Sequence, residues 1–532
     1  MVNLKKVIFA VYFFIICFSI KAQTGINPYI IYFSDKNGTG FSLNNPSMFL
    51  SQRSIERRSN QNILLDSTDL PVSGNYLNQV KTLGIQVIYT LKWINAAYIL
   101  ADSLQYQQVM KLPFIVSQFS TFRLTNASNV HSFYSITSSS FSDPYEDFLG
   151  MTQMYNNNIR GDGVLIAITD SGFPGIDTLS AFTHLWKNNQ VNYYWDVAAN
   201  NNNIFDDDSH GTYILSILSA LQSGYTGIVP GASYVLLRTE VAATESKLEE
   251  FHWLRGAEIA DSCGADIISC SLGYTTFDNP AADYTYSDMN GHNSFIAVAA
   301  NTACNKGILV VCSAGNDGND SWRYIGTPAD SPGALTIGSV DYTNQRSFFS
   351  SVGPTSDGRI KPDLCAPGSG IYCIQPNGII FLASGTSMAT PMIAGMAAGI
   401  KQSFPSLSSI QLKKILIESG DQYYNPDNYK GYGTPQYQRA YSISNLLSGK
   451  SSFLLAPNPY VSGDLFLRVY DFSTNFTIQL TDVQGKLVYS GNGNSDDLIV
   501  QMPDTIKSIG SGIYFVSIIS DGASGVIKWI KL

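Results

Sequence analysis

Apolar residues follow different patterns in three successive stretches of the chain. Between Gly161 and about Ser442, runs such as "VLIAITD" (Val164 to Asp170), "SYVLLRT" (Ser233 to Thr239), "DIISCSLG" (Asp266 to Gly273), "GILVVCSAGN" (Gly307 to Asn316) and "ALTIGSV" (Ala334 to Val340) are apolar at successive positions. A strand apolar on both faces must be covered on both, and helical stretches such as "EEFHWLRGAEIADSCG" (Glu249 to Gly264) separate these runs. This pattern predicts an α/β fold with a doubly covered parallel sheet. Upstream, from Pro28 to about Ser120, "YIIYFS", "IQVIYTL", "NAAYILA" and "FIVSQFS" read as strands. "PSMFLSQRSIERRS", "SGNYLNQVKTL" and "SLQYQQVMKL" read as helices, giving a small α+β unit. From about Lys450 the runs shorten and alternate ("DLFLRVY", "FTIQLTD", "KLVYSG", "GIYFVSII", "VIKWIKL"), with Gly, Asn and Asp at the turns, which predicts an all-β sandwich.

One run belongs to none of these patterns. "LASGTSMATPMIAGMAAGI" (Leu382 to Ile400) is built of small apolar residues, so it predicts a helix buried on nearly every side. Ser387 falls at its first turn, in the positive field of the helix end. Pro391 follows too late to occupy the harmless first helical position, and the sequence supplies no reason for it.

Composition narrows the class. The chain has 532 residues, 44% hydrophobic and 14% charged, with a net charge of −9, which fits a multidomain globular protein. No Lys/Arg cluster exceeds "IERR" (Ile55 to Arg58), so a nucleic-acid partner is excluded. Residues 1–22 combine Lys5-Lys6, an apolar run from Val7 to Ile20 and Ala22 ahead of Gln23, the build of a secretory signal peptide. The expected divisions are therefore 1–22 signal peptide, 23–140 α+β unit with a Ser/Thr/Asn-rich linker (Thr125 to Asp143), 141–449 α/β domain and 450–532 β-sandwich. Of seven cysteines, six remain after Cys17 is set aside, and Cys270 and Cys312 lie inside strand-like runs as buried free thiols.

In open parallel sheets, chemistry gathers at the carboxyl ends of the strands. Asp170 closes one such run, Asn316 closes another, and His210 in "DDDSHGTYILSIL" begins an apolar helix, where the helix dipole disfavours imidazolium. A serine nucleophile needs a base for its proton and an acid to orient that base. All five histidines precede Ser387, which excludes the α/β-hydrolase order in spite of "GTSMA".

"AITDSG", "HGT", "IISCSLG", "VVCSAGNDG", "KPDLCAPG" and "SGTSMATP" together resemble the successive signature blocks of the subtilisin-like serine proteases, over roughly Gly161 to Ser442. The resemblance implies Ser387 as nucleophile, His210 as general base and then acid, Asp170 as the residue orienting His210, and Asn316 as oxyanion donor. It further implies that Ser271, Leu272 and Gly273 pair with an extended peptide as an added strand, while Ala314 and Gly315 line the primary specificity pocket. Two departures stand out: Tyr213 in "HGTYIL", where the family often has a histidine, and Phe173-Pro174 after "DSG". The α+β unit resembles subtilase pro-domains, which inhibit their own protease, with maturation expected between about Ser120 and Asp147. The tail, with "APNPY" and "LTDVQGKLVYSG", resembles the sorting domain of type IX secretion cargo in Bacteroidetes-type bacteria. The expected protein is thus a secreted serine endopeptidase acting on proteins or peptides; the alternative is a catalytically silent surface binding protein or adhesin on the same scaffold. No cofactor is required. A structural calcium is compatible with Asp206-Asp207-Asp208 and with Pro280 to Gly291, although short acidic loops are commonly just solvated.

Overall fold

The computed structural model describes residues 25–116, 148–447 and 453–532, apart from 457, 463–464, 470–474, 495–498 and 521–522. The signal peptide, the Ser-rich linker and the expected maturation region fall outside these residues.

The N-terminal unit is a three-stranded antiparallel sheet of β1 (Asn27–Tyr32), β2 (Gln86–Leu91) and β3 (Ala96–Ala101), with β3 in the middle. Three helices accompany it: α1 (Gln52–Asn60), α2 (Gly74–Thr82) and α3 (Ser103–Val109). Ser51, Ser73 and Asp102 cap them, each accepting a backbone N–H of the first turn. The expected strand "FIVSQFS" contributes only a bridge, Ile115 to Phe33, within the described residues. Because side chains alternate along a strand, Tyr29, Ile31 and Phe33 pack against the unit's own helices. Ile30, Tyr89 and Tyr98 face outward into the core of the next domain.

That domain is built on seven strands, all paired in parallel: β4 (Leu165–Asp170), β5 (Val191–Asp196), β6 (Ser233–Arg238), β7 (Ile267–Cys270), β8 (Leu309–Ser313), β9 (Leu335–Val340) and β10 (Leu364–Pro367). Their order across the sheet is β10-β9-β8-β7-β4-β6-β5. The unbroken apolar runs are explained by two separate cores. Ile166, Ile168, Leu236, Leu309 and Val311 enter one, and Leu165, Ala167, Leu237, Val310 and Cys312 enter the other. The first core holds α4 (His210–Ser219) and the small-residue helix α7 (Thr386–Ser403). The second holds α5 (Lys247–Cys263) and α6 (Phe295–Asn305). From Thr386 to Ile400 every residue of α7 is buried, as its composition requires.

The C-terminal stretch forms two antiparallel sheets, one of three strands and one of four. They close over a core of their own that includes Leu455, Phe476, Ile478, Leu480, Val516, Ile518 and Trp529. The six cysteines among the described residues are all free.

Buried charge joins the N-terminal unit to the sheet domain. Arg58 Nη2 lies 2.7 Å from Asp261 Oδ2 and 2.9 Å from Asp69 Oδ1, while Arg57 Nη2 lies 2.6 Å from Asp261 Oδ1. Lys92 Nζ stands 3.4 Å from the same carboxylate, which is fully buried near the end of α5. Burial pushes the Asp261 carboxyl up, but Lys92, Arg57 and Arg58 outweigh it and hold the group far below the usual carboxylate range. Removing one partner of a buried ionic cluster leaves uncompensated charge and costs about 3–5 kcal/mol. Asp261→Ala in the intact chain is therefore expected to lower unfolding stability by about that amount, read as a drop in denaturant midpoint at unchanged slope. A loss under about 1 kcal/mol would show that water reaches the cluster.

Candidate functional site

The site assembles at the carboxyl edge of the sheet, where strand ends meet helix starts. Asp170 is the last residue of β4 and is fully buried. His210 opens α4, and its Nδ1 lies 2.8 Å from Asp170 Oδ1. That Oδ1 also accepts the Ser171 backbone N–H at 2.9 Å, which fixes the carboxylate. The sequence leads one to expect a His210 kept neutral by the helix dipole, and in the structure Asp170 acts in the opposite sense. Burial lowers the pKa, but the Asp170 charge and hydrogen bond, with Asp208 beyond, raise it above the ordinary histidine value. The neighbouring carboxylate outweighs desolvation.

The close approach of α4 to the turn after β4 depends on Gly211. A Cβ there would stand 2.4 Å from the Gly172 carbonyl oxygen and 2.8 Å from the Phe173 ring. Phe173 is the unusual residue after "DSG", and it is wholly buried beneath this crossing. The Thr212 hydroxyl donates to the Pro174 carbonyl at 2.8 Å. Tyr213, the other departure, accepts the Ser209 hydroxyl at 2.7 Å and sits edge-on to Phe381. Both departures are thus packing choices that keep the helix start in place.

Ser387 lies in the first turn of α7 and is 8% exposed. Its hydroxyl donates to the Ser271 carbonyl at 3.2 Å, and the Ser271 hydroxyl donates back to the Ser387 carbonyl at 3.0 Å. This exchange accounts for Pro391. In a regular helix the N–H of residue 391 would bond the carbonyl of residue 387, and proline has no N–H to give. Pro391 therefore leaves the Ser387 carbonyl to Ser271, on the segment after β7.

Asn316, exposed just past β8, uses its Oδ1 to accept the Thr386 backbone N–H at 2.9 Å and the Thr386 hydroxyl at 3.1 Å. Its acceptor end is thereby fixed on the residue before Ser387, and its Nδ2 hydrogens remain the donating end. Thr386, a residue the sequence reading passed over, also accepts the Gly315 N–H at 3.2 Å. Its place inside "SGTSMATP" was the available signal.

The expected peptide-binding residues divide by environment. Ser271 is turned onto Ser387, Leu272 is buried in the second core, and Gly273 is exposed. The next residue, Tyr274, pairs with Thr327 as an antiparallel bridge. The Ala314 N–H bonds the Ile337 carbonyl and its own carbonyl takes the Gly326 N–H. Gly315 has a positive φ of 106°, and a Cβ there would lie 2.8 Å from Ser351 Oγ. The acidic run expected to suit calcium is engaged in hydrogen bonds: Asp206 accepts from Asn203, Asp207 pairs with Arg238, and Asp208 accepts from Ser171 and Ser209.

Residues 161–433 match the profile of the subtilase family, residues 28–134 that of the peptidase S8 propeptide domain of Bacteroidota, and residues 455–532 that of a secretion system C-terminal sorting domain. Subtilisin NAT of Bacillus subtilis subsp. natto is 31% identical over 291 residues, which is 54% of this chain and 68% of that protein. Subtilisin of Bacillus pumilus is 30% identical over 291 residues, 54% of this chain and 94% of that protein. Subtilisin Savinase of Lederbergia lenta is 28% identical over 264 residues, 49% of this chain and 85% of that protein.

The raised His210 pKa carries a direct expectation. In the intact chain bearing Ser387→Ala, the His210 ring should titrate in NMR with a midpoint above about 6.5. With Asp170→Asn the remaining burial favours the neutral ring, so the midpoint should fall below that of the parent. A parent midpoint under 6 would contradict the Asp170 geometry.

Proposed function

Since the chain belongs to the subtilase family and is a subtilisin-like serine peptidase, we propose that it is an endopeptidase whose catalytic set is Asp170, His210, Ser387 and Asn316. The observation that carries this reading is the 2.8 Å contact between Asp170 and His210, at the same sheet edge where Asn316 is fixed to the residue before Ser387. Ser387 Oγ attacks the scissile carbonyl carbon while His210 Nε2 takes its proton, and Asp170 holds the ring in the tautomer that leaves Nε2 free to accept it. Negative charge then gathers on the former carbonyl oxygen, where Asn316 Nδ2 and the Ser387 backbone N–H donate. Collapse of this intermediate breaks the C–N bond as His210 returns the proton to the leaving amine. Water, deprotonated by His210, then releases the acyl group from Ser387. Gly273 offers exposed backbone for an extended peptide, and Ala314-Gly315 forms the wall beside the residue preceding the scissile bond.

The sorting domain places the protein at the cell surface or outside the cell. Export through a type IX machinery that reads the tail fits residues 455–532, and inhibition by the N-terminal unit before its removal fits residues 28–134. Among the described residues, no helix is long and apolar enough to cross a membrane.

Ser387→Ala is expected to lower peptide turnover about 10⁶-fold with the fold intact, and Asn316→Ala about 10²–10³-fold in kcat with little change in KM. Steady-state kinetics on a peptide library, with fluorophosphonate labelling of the parent, checks both; an unlabelled parent without turnover would identify a silent scaffold. The tail has its own core, so deletion from Lys450 onward should leave turnover and thermal midpoint nearly unchanged while export is lost. Normal secretion of the truncated chain would contradict the sorting role.

A further inference from the structure

Close to the strand end that carries Asp170, three glutamates meet that the reaction above does not use. One ligating oxygen from each of Glu240, Glu245 and Glu249 lies within 4.8 Å of those of the other two. Glu240 follows closely on β6, whose last residue Arg238 is the register partner of Asp170, and the Thr239 N–H donates to the Asp170 carbonyl at 2.9 Å. Glu249 lies in the first turn of α5, and Glu245 lies in the connection between them. Asp278 fixes that connection by accepting the Glu245 N–H at 3.0 Å.

Basic side chains near the trio are engaged elsewhere. Arg238 pairs with Asp196 and Asp207, and Lys247 Nζ lies 3.3 Å from Glu250 and over the Tyr284 ring. Among the described residues, no lysine or arginine pairs with any of the three glutamates. Separately, two buried oxygens here have no hydrogen-bond partner: Glu249 Oε2 and the Tyr274 hydroxyl, both on residues 1% exposed. Burial, and after it the charges of Glu240, Glu249 and Glu245, push that phenol well up, so all three carboxylates act on its oxygen. An unsatisfied buried polar oxygen costs about 1–3 kcal/mol, a penalty that a ligand accepting oxygen donors removes.

We propose that Glu240, Glu245 and Glu249 form a binding site for a divalent cation of calcium type, with the Tyr274 hydroxyl beside it. A set with oxygens alone and no histidine or thiolate selects a hard ion. Calcium bonds oxygen at about 2.3–2.6 Å, so ligands on its opposite sides stand about 4.6–5.2 Å apart, close to the limit within which this trio lies. Glu240 and Glu245 are partly exposed, which gives water access to complete the coordination. Magnesium, smaller and slower to lose water, is the poorer match. A bound cation would tie the end of β6, the connection and the start of α5 into one unit next to the strand end that carries Asp170.

The test uses the full chain with Ser387→Ala, so that autolysis is absent and the outcome does not depend on peptidase activity. After chelator treatment, calcium is titrated by calorimetry, and terbium by emission excited through tyrosine. Glu240→Gln with Glu249→Gln is expected to bind one equivalent of calcium fewer than its parent and to lose most of any calcium-induced rise in thermal midpoint. Tyr274→Phe, which removes no existing hydrogen bond, is expected to cut terbium emission by about half or more while the chain stays folded. Equal calcium equivalents in parent and double variant, or unchanged emission in Tyr274→Phe, would overturn the proposal. So would a double variant of the active chain that differs only in its preference for Lys or Arg in peptides, since the trio would then be a subsite for a basic substrate side chain.

Discussion

The arrangement of this site depends on a carbonyl group that its own helix leaves unbonded. Pro391 cannot donate to Ser387, so the Ser387 carbonyl is open to the Ser271 hydroxyl, and the Ser387 hydroxyl is held in turn by the Ser271 carbonyl. This two-way exchange locks the start of α7 to the segment leaving β7 in the middle of the sheet. The helix is buried on all sides from Thr386 to Ile400, so its start has little freedom once that contact is made. Asn316 and Gly315 then attach to Thr386 from the end of β8. The parts of the site therefore share one rigid frame, which is what placement to within fractions of an ångström demands.

Much of this was legible from the chain. The unbroken apolar runs specified strands with two covered faces, and the two cores receive alternate residues of the same strand, as with Ile166 and Ala167. Asp170, Asn316 and Ser387 were recognisable because polar residues at the ends of apolar segments stand out. What stayed hidden depended on distant partners. The role of Pro391 rests on the Ser271 hydroxyl, 116 residues from the Ser387 carbonyl it reaches, which no local rule reveals. The three glutamates lie five and four positions apart across a connection and a helix start, so they form no periodic motif. His210 showed a different limit. Its place at a helix start was readable, but its charge balance depends on the 2.8 Å approach of Asp170 and on Asp208 behind.

The N-terminal stretch was read as a small α+β unit, and it has a core of its own. Its strand "YIIYFS" nevertheless held a clue, because it is apolar at successive positions like the strands of the doubly covered sheet. Ile30 and Tyr98 carry the second face, and that face belongs to the core containing Phe251, Trp253 and Leu254 of α5. The same strand pattern thus signals two kinds of cover: helices of one's own domain, or the surface of a neighbour.

The ionic joint between these two parts behaves unlike most contacts between charged surfaces. Asp261 and Asp69 have no exposed side-chain surface, and Arg57 and Arg58 have 3% and 1%. Mobile ions that weaken exposed pairs beyond a Debye length of about 8 Å at physiological ionic strength have little access to charges packed this way. Brine and dilute buffer should therefore grip this joint almost equally, a useful property for a protein that passes from the cell interior into surroundings whose salinity it does not control.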